Sequence, residues 1–141
     1  MEETVQKLRE FADENKICQV LGDVKEEQTL HELVQKTVDT FGGIDVLVNN
    51  AGNSAEEDGM DTGDIESLDT FWTLISKVAL VDCICYALLA KTKGSIVNVS
   101  SVDGVKAHPE AINYSVSKAA LDHYCRNASV LFAEMEFEST I

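Results

Sequence analysis

Positive charge is scarce in this chain: 11 Lys and Arg stand against 25 Asp and Glu, for a net charge of −14. An acidic surface repels phosphate backbones and anionic lipid, so neither a nucleic-acid partner nor a membrane partner is expected. No run approaches the roughly 18 consecutive apolar residues of a spanning helix. The opening Met-Glu-Glu-Thr has neither the basic nor the apolar region of a signal peptide. The four cysteines (Cys18, Cys83, Cys85 and Cys125) contain no Cys-x-x-Cys pair. They read as small core residues of a reduced, cytoplasmic protein. Three histidines (His31, His108 and His123) lie scattered without ligand spacing, so no metal site is expected. Asn98, Asn113 and Asn127 each begin an Asn-x-Ser triplet, and without a secretory signal these are chance matches.

With 141 residues, 45% of them apolar, the chain has material for one globular domain. Helical spacing of Val5, Leu8, Phe11 and Ala12 predicts a first helix over Thr4–Glu14. A short strand is expected over Lys16–Leu21. A second amphipathic helix spans Glu26–Thr40, with Leu30, Leu33, Val34, Thr37 and Val38 on one face, and Gly42 and Gly43 end it. The nearly all-apolar run Ile44–Val48 fits a parallel strand covered on both faces. A polar, acidic loop covers Asn53–Glu66, and a connection of that length is usually functional or mobile.

Ser67 is placed to cap a helix running to Ala90 that is apolar nearly all round, hence buried on two sides. The strand Ser95–Val99 follows, then a loop holding the only proline, Pro109, and a last helix from about Ala111. Strands alternating with helices imply a parallel three-layer α/β/α sheet with right-handed crossovers. In such sheets sites lie beyond the carboxyl ends of the strands. Asp23, Asn50, Ala51, Gly52 and Ser101 all fall at those ends.

Tyr114 and Lys118 stand one helical turn apart, so phenol and ammonium share a helix face. Ser100 and Ser101 close the β-branched strand upstream, and Asn49, Asn50, Ala51 and Gly52 close the strand before that. Taken singly, each motif is as readily an ordinary surface pair or a strand-ending turn. In this order and register the constellation resembles the short-chain dehydrogenase/reductase family, over about Lys16 to Ala128.

The resemblance implies a Rossmann-like, doubly wound parallel sheet and a nicotinamide cofactor, NAD or NADP without distinction. It implies interconversion of a small alcohol and carbonyl. Tyr114 would be the acid/base. Lys118 would hold the cofactor ribose and favour the phenolate, and Ser101 would bind the substrate oxygen. Asn50, Ala51 and Gly52 would border the cofactor, with Tyr114 and Lys118. Asp23 and Val24, at the end of the strand matching the family's third, would lie near the adenine.

The chain departs from that pattern in three ways. No Gly-x-x-x-Gly-x-Gly turn is present to seat a pyrophosphate on a helix N-terminus. Ala79 stands where the family carries a relay asparagine. After about Ser129 the sequence does not continue into the expected sixth strand. The expectation is therefore a single, incomplete NAD(P)-binding domain over residues 1–141, an internal fragment that binds dinucleotide poorly and is weakly active or inactive alone. The alternative is a non-catalytic interaction fragment pairing with full-length relatives through helices 67–90 and 111–128. The same helices would support a homo-oligomer.

Overall fold

The computed structural model describes residues 2–52 and 65–138. The elements in chain order are α1 (Glu2–Leu8), α2 (Glu27–Phe41), β1 (Val46–Asn49), α3 (Ile65–Thr92), β2 (Ser95–Asn98) and α4 (Ile112–Glu138). Short 3-10 turns cover Glu14–Lys16 and Val102–Gly104. The acidic loop expected over 53–66 lies, as far as residue 64, outside the described residues.

β1 and β2 are parallel neighbours, with Val46 opposite Ser95, Leu47 opposite Ile96, Val48 opposite Val97 and Asn49 opposite Asn98. Parallel pairing requires a crossover, which α3 supplies. Side chains alternate across the sheet. Leu47 and Ile96 pack into a core of Leu30 and Val34 from α2 and Val81, Cys85 and Leu89 from α3. The opposite face is bare among the described residues: Val46 is 58% exposed and Val48 57%. The expectation that β1 is covered on both faces is corrected here, because α2, α3 and α4 form one layer.

α3 meets α2 on one flank and α4 on the other, with β1 beneath it, as its nearly all-round apolar sequence requires. Its span Leu68–Thr92 contains an 18-residue window of mean hydropathy 1.8 and is long and apolar enough to cross a membrane by length and composition. It carries Asp82 at its centre, fully buried and hydrogen-bonded to Tyr124 and Asn49, which ties the helix into the α/β packing.

Three boundaries differ from the sequence reading. The segment 17–21 forms no ladder, although Ile17 is extended at φ −119°, ψ 119°. A strand is defined by its neighbours, and here the contacts come from α2 instead, through Lys36 Nζ donating to the Gln19 carbonyl at 2.9 Å. α1 stops at Leu8 because the apolar stripe beyond it finds no surface, with Phe11 86% exposed. α3 starts at Ile65, which puts Ser67 inside its first turn rather than at its cap. α2 ends as expected at Gly42, whose left-handed φ of 85° a side chain would resist.

Candidate active site

Strand β1 ends at Asn49, and its carbonyl takes the Val99 N–H at 3.0 Å, extending the parallel ladder one step past β2. That step fixes where Ser100 and Ser101 leave the sheet. Ser101 then caps the turn Val102–Gly104: its Oγ accepts the Asp103 N–H and lies 3.2 Å from Asp103 Oδ2. Gly104 lets this turn press against α4. A Cβ at that position would stand 3.0 Å from the Lys118 carbonyl carbon and 3.1 Å from the Ala119 nitrogen. A side chain there would crowd the helix backbone, so the loop carrying Ser101 rests closely on the helix turn carrying Lys118.

On α4, Tyr114 sits edge-on to Phe71 of α3, with ring centroids 5.9 Å apart at 66°. Lys118 Nζ lies 5.6 Å from the centroid of the Tyr114 ring. The Val99 carbonyl accepts from the same ammonium at 2.8 Å. Burial lowers the Lys118 pKa, and Asp122 partly opposes that shift. The strand end thus anchors the cation beside the phenol, and Ser101 leaves that strand two residues later.

Tyr114 and Lys118 share a small cavity of about 40 Å³ with Ala51 and Gly52. α3 closes it with hydrocarbon alone: Phe71, Leu74, Ile75 and Val78. It is Val78, not Ala79, that faces this cavity, so α3 offers no polar side chain there. An adjoining cavity of about 120 Å³ brings Val24 together with Asn50 and Ala51. Six of the residues expected at a cofactor therefore line two neighbouring cavities that meet at Ala51. Among the described residues, a Cβ at Gly52 would meet nothing within 4 Å. The Lys118 ammonium and the backbone at the end of β1 have the chemistry to hold a nicotinamide nucleotide. Asp23 lines neither cavity; its carboxylate accepts the Lys25 N–H at 2.8 Å ahead of α2.

Sequence reasoning missed one cluster. Asp82 Oδ1 accepts from Asn49 Nδ2 at 2.7 Å, and Oδ2 accepts from the Tyr124 hydroxyl at 2.9 Å. Asn49 Nδ2 also donates to Asn98 Oδ1 at 2.8 Å. The network joins β1, β2, α3 and α4 directly behind the site. Burial raises the Asp82 carboxyl above its ordinary value, with the hydrogen bonds opposing; burial and the neighbouring Asp82 charge raise the Tyr124 phenol. A lone acid inside the apolar run Phe71–Leu89 was the available signal, since a buried carboxylate demands partners.

A profile of the short chain dehydrogenase family matches residues 1–137. An uncharacterized oxidoreductase of Thermotoga maritima is 35% identical over 140 residues, covering 94% of this chain and 51% of that protein. The human protein dehydrogenase/reductase SDR family member 7 is 36% identical over 121 residues, covering 74% of this chain and 34% of its own length. Among solved structures, a short-chain dehydrogenase/reductase of unknown function from Caenorhabditis elegans, determined with cofactor, superposes with a TM-score of 0.86. It is 33% identical, over 96% of this chain and 52% of that one. Glucose dehydrogenase of Caenorhabditis elegans, in its apo form, gives 0.83 at 34% identity, over 96% and 54%. The chain thus spans about half the length of such structures. Its parallel sheet, its crossover helix α3 and this match place it plainly: the chain belongs to the short-chain dehydrogenase family.

Proposed function

We propose that these residues form the proton-transfer side of a nicotinamide-dependent oxidoreductase site that interconverts a small alcohol and a carbonyl. The observation that carries the reading is the Lys118 ammonium, held 2.8 Å from the Val99 carbonyl and 5.6 Å from the Tyr114 ring. A phenol titrates near 10 in water and serves poorly as an acid/base at neutral pH. The Lys118 ammonium holds a fixed positive charge beside that ring. Tyr114 then takes the hydroxyl proton of an alcohol, or returns one to a carbonyl oxygen. Ser101 orients that oxygen from the strand end.

When bound, the nicotinamide supplies or accepts the hydride. Asn50, Ala51 and Gly52 would border it, Lys118 would reach its ribose, and Val24 would lie toward the adenine, with Asp23 nearby. The chemistry of these residues does not distinguish NAD from NADP. Exposed apolar residues on the two long helices support self-association through them: Trp72 of α3 is 56% exposed, and Ile112 and Val116 of α4 are 47% and 49% exposed.

The test is a chimera in which residues 2–138 replace the matching part of a relative, assayed for nicotinamide-linked turnover of a ketone and alcohol panel. Turnover that depends on Tyr114 and Lys118 supports the reading. Turnover indifferent to both overturns it.

A further inference from the structure

Ser101 does not present a free hydroxyl. A serine oxygen has one proton to donate and two lone pairs to accept with. The Asp103 N–H, 3.2 Å away, takes one lone pair. Asp103 Oδ2, also 3.2 Å away, belongs to a carboxylate, which only accepts, so it takes the proton. One acceptor position is left for a ligand, and no donor.

Nor is Asp103 a loose surface acid. Its side chain is 22% exposed, and its other oxygen lies 3.3 Å from His108 Nδ1. The turn that carries it is pinned against α4 at Gly104.

We propose that Asp103 is a positioning residue that acts through Ser101: by occupying the serine proton, it biases the site toward ligands bearing a hydroxyl and against ligands bearing a carbonyl. A carbonyl oxygen can only accept, and meets a lone pair where it needs a donor. A hydroxyl can donate to the remaining Ser101 lone pair. This inference rests on the reading of Ser101 as the residue that meets the substrate oxygen.

The test measures dissociation constants of cyclohexanone and cyclohexanol by ligand-observed NMR on the full chain, in wild type, Asp103→Ala and Asp103→Asn. Freeing the serine proton should shift the ketone-to-alcohol affinity ratio toward ketone by up to about tenfold in Asp103→Ala, the scale of one neutral hydrogen bond. Asp103→Asn should shift it the same way, since its amide can turn an N–H toward Ser101 Oγ. In the background of Ser101→Ala, the Asp103 substitutions should no longer move the ratio, which a merely structural role for Asp103 would not predict. An unchanged ratio in both Asp103 variants, with both probes bound, overturns this proposal alone. Failure of Ser101→Ala to alter binding of either probe, or no binding by any form, overturns the reading of Ser101 and this proposal with it.

Discussion

Replacing Asp82 with alanine tests the network that joins both strands to both long helices. The wild-type carboxylate is fully buried and accepts from Asn49 at 2.7 Å and from Tyr124 at 2.9 Å. In Asp82→Ala the Asn49 amide keeps Asn98 as a partner at 2.8 Å, but the Tyr124 hydroxyl loses its acceptor. An orphaned buried donor costs about 1–3 kcal/mol, and the void left by the carboxylate adds about 1 kcal/mol. Relief from burying a charge offsets part of this. The expected net loss is about 1–3 kcal/mol, read by urea denaturation followed by circular dichroism.

The pH dependence supplies a second arm. Burial raises the Asp82 carboxyl above its ordinary 3.8, so the folded chain binds that proton more tightly than the unfolded chain. The stability this contributes is fully present below 3.8 and is lost as pH rises through the folded value. Asp82→Asn lacks this titration. Wild type should therefore lose stability relative to Asp82→Asn as pH climbs from about 3 toward neutrality. An Asp82→Ala variant within about 0.5 kcal/mol of wild type, or a gap that moves the other way with pH, refutes the reasoning.

Other predictions follow from single contacts. Gly104→Val puts carbon against the Lys118 backbone, so in the chimera both turnover and cofactor affinity should fall, as steady-state kinetics and cofactor titration would show. Lys118→Ala should weaken both cofactor affinity and rate, because one ammonium serves both; an effect on substrate affinity alone would contradict that. Leu30→Ala removes a core side chain that is 5% exposed and should cost about 2–4 kcal/mol of unfolding free energy. Trp72→Asp together with Val116→Asp should reduce the mass measured by light scattering, and an unchanged mass would remove these helix faces from any interface.

Strands β1 and β2 were legible because β-branched runs ending in small polar residues mark parallel strands. The segment 17–21 has the same local character and forms no ladder, since its state depends on neighbours that no local pattern reveals. α1 shows the same limit: helical spacing through Ala12 is present, but Leu8 is its last helical residue because nothing receives Phe11. Tyr114, Lys118 and Ser101 could be found because order and spacing along the chain carry them. What the sequence could not show was that the Val99 carbonyl, 19 positions from Lys118, anchors the ammonium. Nor could it show that Asp103 engages Ser101. Asp82 and Tyr124, 42 positions apart, meet only through the packing of α3 on α4.

The central claim is that Tyr114 moves the proton. The most direct measurement is nicotinamide-linked turnover of the chimera carrying residues 2–138, compared with the same chimera bearing Tyr114→Phe. Phenylalanine keeps the ring, its edge contact with Phe71 and its place beside Lys118, and removes only the hydroxyl. Turnover should fall by about two to four orders of magnitude while cofactor binding persists. Near-normal turnover in Tyr114→Phe would contradict the account.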